Sequence, residues 1–177
     1  MKGGGSLFLV GMMGAGKTTV GRLLARRLKL RFVDSDREIE ARCGVKIPVI
    51  FEIEGEAGFR ARESAAIESL TALPGIVLAT GGGVVLAERN RRCLAERGTV
   101  VYLRAKPEDL YERVRHDRNR PLLAGADPLA RLRELHAQRD PLYAGVADVV
   151  LETGTQSVQA LARQLLDRLE AEWKASA

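Results

Sequence analysis

The sequence predicts an α/β fold, in which helices cover both faces of a parallel β-sheet. Five short, continuously apolar segments alternate with longer segments of helical periodicity, which is the pattern of buried parallel strands joined by helices. The 177 residues are 46% apolar and 29% charged, so we expect one globular domain over residues 1–177. No run approaches the roughly 20 apolar residues of a membrane helix, and no membrane partner is expected.

The first half of the chain contains three of the predicted strands. Residues 7–10, LFLV, form a short apolar run, and Val20, Leu24 and Leu28 then recur at helical spacing within the segment 18–30. The predicted elements that follow are a strand at 31–33, helical segments at 36–43, 48–54 and 57–71, and a strand at 76–79. The second of these strands ends in the acidic stretch DSD, and the third ends in three consecutive glycines.

The second half continues the alternation of strands and helices. A helical segment leads into the apolar run TVVYL, and the run DVVL leads into an amphipathic closing helix. The predicted strands are 99–103 and 148–151, and the predicted helices are 86–97, 107–116, 127–138 and 157–173.

The charge of the chain is positive and comes mainly from arginine. The sequence has 28 Lys and Arg residues against 23 Asp and Glu residues, a net charge of +5. Arginine binds carboxylates and phosphates in a bidentate manner, which fits a small anionic ligand. Nucleic acid is the alternative, but aromatic residues are only 5% of the chain and no basic stripe interleaves with them, so we expect no nucleic-acid partner.

Cysteine usage indicates the compartment. Cys43 and Cys93 lie far apart and form no CxxC pair, which argues against a disulfide framework. A reducing environment fits this pattern, and we therefore expect a cytoplasmic location.

The predicted site lies beyond the carboxyl ends of the first three strands. Ligands of parallel α/β sheets bind at that edge. The segments that follow these strands are Gly11–Thr19, Asp34–Asp36 and Gly81–Gly83. We expect the three segments to converge.

The first of these segments, GMMGAGKT, matches the phosphate-binding pattern G-x-x-x-x-G-K-[ST] between a strand and a helix. In this motif the backbone N–H groups and the helix N-terminus bind phosphate oxygens, the lysine neutralises the β- and γ-phosphates, and the hydroxyl completes a Mg²⁺ shell. The expected nucleotide contacts are Gly14, Ala15, Gly16, Lys17, Thr18 and Thr19. The guanine-reading elements DxxG and NKxD are absent from the sequence, so a small-molecule kinase is favoured over a GTPase.

Two carboxylates follow the second strand. If the extended conformation persists, Asp34 and Asp36 lean the same way. Asp34 is then suited to orient a metal-bound water, and Asp36 to hold an acceptor hydroxyl and take its proton. The alternative is that Asp36 only caps the helix that begins near Arg37.

Arginines on three further segments are candidate anion-binding groups. Arg60 and Arg62 are two residues apart on a helix, so one faces inward, and spacing alone does not decide which. The basic stretch DRNRPLLAG has the composition of a mobile lid over about 113–125, with a solvated loop as the alternative. Arg139, in RDPLY, is expected to end a helix, where it binds a carboxylate or only favours the helix C-terminus.

These stretches together resemble the shikimate kinases. The likeness includes GMMGAGKTTVGRLLA, FVDSD, FEIEGEAGFRARE, TGGGVV, RPLL and RDPLY, in this order. The resemblance implies a P-loop fold like that of the nucleoside-monophosphate kinases, with a five-stranded parallel sheet and a mobile lid. It also implies transfer of the γ-phosphoryl group of ATP to the 3-hydroxyl of shikimate, on the pathway to chorismate, by a monomeric enzyme.

The resemblance also implies roles for individual residues. The shikimate ligands would be Asp36, Arg60, Gly82 and Arg139, within and beyond a substrate-binding region at about 34–62. Lys17, Asp36 and Arg120 would be catalytic, with Arg120 and Gln156 also binding ATP. Thr18 and Asp34 would support Mg²⁺, Asp34 through water. The family commonly has an acidic residue after EGE, where this chain has Ala57, and we expect little effect on binding.

The three glycines have an explanation within this resemblance. The backbone N–H of Gly82 would reach an acceptor hydroxyl, and a side chain on any of the three would block the approach of substrate and γ-phosphate.

Two alternative functions remain. One is a kinase for another polyol acid, such as gluconate, and the other is a regulatory nucleotide-binding protein that has lost activity.

Overall fold

The sheet is parallel, with strand order β2-β3-β1-β4-β5 among the described residues. The computed structural model describes residues 5–117 and 121–175. The strands are β1 (Leu7–Val10), β2 (Arg31–Asp34), β3 (Ile76–Ala79), β4 (Thr99–Arg104) and β5 (Val149–Glu152). The helices are α1 (Lys17–Leu28), α2 (Ser35–Cys43), α3 (Ile47–Leu70), α4 (Glu88–Arg97), α5 (Pro107–Val114), α6 (Pro128–Val146) and α7 (Val158–Ala175). Short 3₁₀ turns lie at Val84–Leu86 and Pro121–Leu123.

The register of the strands brings the three predicted site segments to one edge. Leu9 of β1 lies opposite Ala79 of β3, and Ala79 lies opposite Asp34 of β2. The first three strands therefore end level with one another, and the loops that follow them start side by side. All four residues of β1 and of β3 are buried, as expected for strands covered on both faces. The convergence predicted from the sequence is confirmed.

Helix α6 is longer than the sequence suggested. We expected a helix over 127–138 with Arg139 at its end, but α6 runs to Val146 and contains Pro141 in its interior. Its buried face continues through the proline, with Leu132, Leu135, Arg139, Tyr143 and Val146 on it. Burial of this face outweighs the local cost of the proline. Arg139 is therefore an interior helical residue, and the alternative role at a helix C-terminus is wrong.

Helix α3 joins the two helical segments predicted at 48–54 and 57–71. The helix is kinked at Gly55, which has φ 70° and ψ −177°. This left-handed conformation favours glycine, and a Cβ there would meet no atom within 4 Å, so the backbone angle rather than space explains the residue.

No helix in the described ranges is both long enough and apolar enough to cross a membrane.

Candidate active site

The loop between β1 and α1 wraps around its own lysine. Gly14 and Gly16 have φ 79° and 95°, in the left-handed region that glycine allows. Lys17 is 9% exposed, and its Nζ donates to the carbonyl oxygens of Gly11 at 2.6 Å and Met12 at 2.8 Å. The ammonium group is thus held across the loop that opens α1.

Two adjoining chambers lie beyond the ends of the strands. The larger chamber has a volume of about 470 Å³, and the P-loop residues 13–20 form much of its wall. The smaller chamber, of about 80 Å³, lies between α3, α6 and the loop after β3. Met13, Asp36, Gly81 and Gly82 line both chambers. A group bound in one chamber therefore meets a group bound in the other at these residues.

Asp34 accepts three hydrogen bonds, one from α1 and two from the start of α2. One carboxylate oxygen accepts from Thr18 Oγ1 at 3.0 Å, and the other accepts from the backbone N–H groups of Asp36 at 3.0 Å and Arg37 at 3.3 Å. Asp34 is therefore the N-cap of α2, and Asp36 is not. The expectation that Asp34 and Asp36 lean the same way assumed an extended conformation up to residue 36. That conformation does not persist, because the helix already begins at Ser35. Both carboxylates nevertheless line the larger chamber.

The glycine loop, Gly81–Gly83, is packed against charged side chains. A Cβ on Gly81 would lie 2.7 Å from Asp36 Oδ1 and 2.9 Å from Glu63 Oε2. A Cβ on Gly83 would lie 2.2 Å from Arg60 Nη1, whereas one on Gly82 would come no closer than 3.4 Å to any atom. Gly81 and Gly83 are therefore required by the neighbouring charged residues themselves. Within the described part of the chain, the Gly82 N–H has no hydrogen-bond acceptor.

Arg60 faces the smaller chamber, and Arg62 faces outward. Arg60 Nη1 donates to Glu63 Oε1 at 2.9 Å, and Glu63 is only 1% exposed. Arg62 donates to both carboxylate oxygens of Glu54, at 2.8 Å and 2.6 Å, and its side chain is 45% exposed. Burial raises the pKa of Glu63, and the Arg60 guanidinium opposes that rise.

Arg139 brings a buried positive charge to the smaller chamber. The residue is 2% exposed, and its Nε and Nη1 atoms have no hydrogen-bond partner among the described residues. A buried guanidinium with two unsatisfied nitrogens is costly, so such a group is suited to an anionic ligand. Arg139 lies beside the glycine loop, with Nη1 3.5 Å from the position of a Cβ on Gly82.

The outer wall of the larger chamber comes from α5 and from the loop after β5. Arg113 donates to the carbonyl oxygens of Gly14 at 3.0 Å and Gly154 at 2.9 Å, and so ties this loop to the P-loop. Gln156 also lines the chamber, and its Oε1 accepts from the N–H of Gly154 at 2.7 Å. Arg120, the expected lid arginine, lies outside the described residues.

Comparison with known proteins gives the family. A family model described as shikimate kinase matches residues 13–170. The chain belongs to the shikimate kinase family. The shikimate kinase of Ralstonia nicotianae is 64% identical over 165 residues, which cover 93% of this chain and 87% of that protein. The resemblance stated from the motifs is therefore confirmed.

Solved structures agree with this assignment. The shikimate kinase from Acinetobacter baumannii, solved in complex with shikimate, is 47% identical with a TM-score of 0.93, over 95% of this chain and 94% of that one. A gluconokinase from Sinorhizobium meliloti has a TM-score of 0.59 at 16% identity, over 100% of this chain and 99% of that one, and shares the fold alone. The predicted P-loop kinase fold is confirmed.

Sequence reasoning missed three residues of this shikimate kinase family site. Glu63 follows Arg60 at the i+3 spacing of a helical ion pair, which was a readable signal. Arg113 was included only as the first residue of the lid, although it lies in the last turn of α5. Tyr143 lies on the buried face of α6, and it was missed because the predicted helix ended before it.

Proposed function

We propose that this chain transfers the γ-phosphoryl group of ATP to the 3-hydroxyl of shikimate, giving shikimate 3-phosphate for the pathway to chorismate. The observation that carries the proposal is the buried guanidinium of Arg139, with two unpartnered nitrogens among the described residues, in a chamber that adjoins the P-loop. Shikimate has a carboxylate to neutralise such a charge and hydroxyls to reach the wall shared by the two chambers. Membership of the shikimate kinase family supports the same substrate.

In this proposal the larger chamber holds ATP. The backbone of Gly14, Ala15, Gly16, Thr18 and Thr19 surrounds the phosphates at the start of α1, with Lys17 as the neutralising charge. Gln156 and Arg113 also line this chamber, and Gln156 is the residue placed to meet the base. Arg120 would close over the phosphates from the lid.

The residues near Thr18 fit a magnesium ion. The Thr18 hydroxyl and the Asp34 carboxylate are hard oxygen donors 3.0 Å apart at the larger chamber. No group of three or more His, Cys, Asp or Glu side chains suited to a metal occurs in the described ranges, which fits an ion held largely by phosphate and water. When bound, Mg²⁺ supplies positive charge to the β- and γ-phosphates.

The smaller chamber orients the acceptor. Arg60 and Arg139 bind the shikimate carboxylate, and the Gly82 N–H and Asp36 bind its hydroxyls. The hydroxyl oxygen forms a bond to the γ-phosphorus as the bond to the β–γ bridging oxygen breaks, and that electron pair leaves with ADP. Asp36 takes the hydroxyl proton. Such a reaction depends mainly on positioning and charge stabilisation.

The test is coupled ADP release with Mg-ATP and shikimate, gluconate or no acceptor. We expect release that depends on shikimate alone. Arg60→Ala should lower kcat/KM for shikimate by about 10- to 100-fold, because it removes a charge-assisted contact. Arg62→Ala is the matched control on the same helix and should stay within about twofold of wild type.

Nucleotide binding by both variants, measured in parallel, shows that they are folded. ATP binding without shikimate-dependent release would contradict the proposal. It would instead favour another acceptor or a regulatory nucleotide-binding role.

The proposed setting is a monomer in the cytoplasm, without nucleic acid. Cys43 and Cys93 are both free thiols, which fits a reducing compartment. Size-exclusion chromatography tests the monomer, and a salt-sensitive gel shift would contradict the expectation of no nucleic-acid partner.

A further inference from the structure

Tyr143 connects helix α6 to the glycine loop. The residue is fully buried, and its hydroxyl donates to the carbonyl oxygen of Gly82. Burial raises the pKa of Tyr143 to about 12, with the Arg139 guanidinium opposing the rise. The phenol is therefore protonated at neutral pH and acts as a donor.

The backbone groups of the other two glycines form hydrogen bonds with nearby residues of the chain or with α2. The Gly81 N–H donates to Ser35 Oγ at 3.1 Å, and the Gly81 carbonyl accepts from the Val84 N–H at 3.2 Å. The Gly83 carbonyl accepts from the Leu86 N–H at 3.1 Å. In the described structure, Tyr143 makes the hydrogen bond that holds Gly82. Because glycine has the greatest backbone freedom, the middle of the loop depends most on such a bond.

Helix α6 presents Tyr143 and Arg139 to the loop together. They are four residues apart, and so lie one turn apart on the same face. Tyr143 contacts the Gly82 carbonyl, while Arg139 Nη1 lies 3.5 Å from the position that a Cβ on Gly82 would take. The tyrosine therefore sets the position of the Gly82 backbone relative to the Arg139 guanidinium.

Strand β4 in turn holds α6 at the residue after Arg139. Tyr102 Oη donates to Asp140 Oδ1 at 2.7 Å, and Arg104 donates to both Asp140 oxygens at 2.9 Å and 2.8 Å. The Tyr102 ring also packs against the Tyr143 ring, with centroids 4.9 Å apart. A continuous set of contacts thus runs from β4 through α6 to the glycine loop.

We propose that Tyr143 is a positioning residue for the acceptor. Its hydroxyl fixes the Gly82 backbone so that the Gly82 N–H and Arg139 keep the spacing that one acceptor molecule spans. The Tyr102–Asp140 hydrogen bond supports this arrangement from β4. The inference rests on the proposed function for the identity of the acceptor, and on the structure alone for the ordering of the loop.

Three Tyr→Phe variants test the proposal, because each removes one hydroxyl and keeps the ring. Tyr143→Phe should raise KM for shikimate by about tenfold and leave KM for ATP within about twofold. Tyr102→Phe should show a smaller shift in the same direction. Tyr111→Phe, on α5, is the control and should match wild type in both constants. A purely structural role would lower thermal stability without separating the two KM values.

Hydrogen exchange gives a readout that does not depend on turnover. Tyr143→Phe should speed exchange in peptides that cover residues 80–87 and leave α7 unchanged. Unchanged exchange, or unchanged KM for shikimate in an active enzyme, would overturn the positioning role. If wild type releases no ADP with shikimate, the proposed function fails, while the exchange result still decides the role of Tyr143.

Discussion

Individual charged residues define the smaller chamber. Arg60, Glu63 and Arg139 meet around a volume of about 80 Å³, and Glu63 and Arg139 are almost completely buried. Burying charged groups costs several kcal/mol per ion in general, and only part of that is recovered from a single ion pair. A chamber built in this way is poorly suited to stabilise the fold alone and well suited to bind an anion.

Asp36 should matter for turnover more than for nucleotide binding. Asp36→Asn keeps the size of the side chain but removes its charge and its capacity to take a proton. We expect kcat to fall by about 10²- to 10⁴-fold, with the Kd for ATP within about threefold of wild type. Single-turnover rates and equilibrium nucleotide titration measure the two quantities. An intact kcat would refute the proposed role of Asp36.

Gly83 should not tolerate even a methyl group. In Gly83→Ala the new Cβ would overlap the Arg60 guanidinium, at 2.2 Å to 2.4 Å, and displace it. We expect KM for shikimate to rise by about tenfold or more, through loss of a charged contact. Gly145→Ala is the control, because a Cβ there meets no atom within 4 Å and alanine favours helix. Equal kinetics for the two variants would show that Arg60 moves without consequence.

At the scale of elements, the start of α2 combines a structural task with the proposed support of magnesium. Asp34 caps the helix through one carboxylate oxygen and contacts Thr18 through the other. Serine caps a helix about as well as aspartate but has no carboxylate, and alanine does neither. The two tasks are therefore separable by substitution.

Asp34→Ala should lower the free energy of unfolding by about 1 kcal/mol, and Asp34→Ser by only a few tenths. Both should raise the Mg²⁺ concentration needed for half-maximal activity. Denaturant unfolding and magnesium titration measure these effects. Asp127→Ala, at the N-cap of α6, is the control and should lose stability without changing the magnesium requirement. Equal losses of stability for the serine and alanine variants would argue against the cap.

The elements also differ in how far they were predictable from sequence. The strands β1 and β3 were readable because four consecutive apolar residues between turns have few other uses. Helix α6 was not, because Pro141 is a local stop signal that burial of Tyr143 and Val146 overrides. The inward direction of Arg60 required the resemblance to a known family, since spacing alone gave two equal choices.

At the scale of the whole molecule, the site follows from the topology. Parallel strands that end level with one another place three loops side by side, so their convergence could be predicted from the order of the segments. The contacts between α6, β4 and the glycine loop could not, because they join residues far apart in the sequence. Tyr102 and Asp140 are 38 residues apart, and Tyr143 and Gly82 are 61 apart.

The stability of the molecule should depend on pH through two carboxyl groups that act in opposite directions. Partial burial disfavours charged Asp140, but the hydrogen bonds from Tyr102 and Arg104 prevail and lower its pKa. As pH falls, the unfolded chain therefore takes up this proton at a higher pH than the folded chain does. The stabilisation from Asp140 is complete above pH about 4 and is lost on further acidification. Burial raises the pKa of Glu63, so its contribution falls as pH rises above about 4.3.

Asp140→Asn and Glu63→Gln should separate these two slopes. Relative to wild type, Asp140→Asn should lose less stability as pH falls below about 4, because the titrating group with the lowered pKa is gone. As pH rises from about 4.3 toward the raised pKa, the free energy of unfolding of Glu63→Gln should increase relative to that of wild type. This change with pH is expected whatever the difference between the two proteins at a single pH. Urea unfolding of the three proteins from pH 3 to 8 gives the differences. Parallel curves for Glu63→Gln and wild type would mean that the buried carboxyl titrates alike in the folded and unfolded chains.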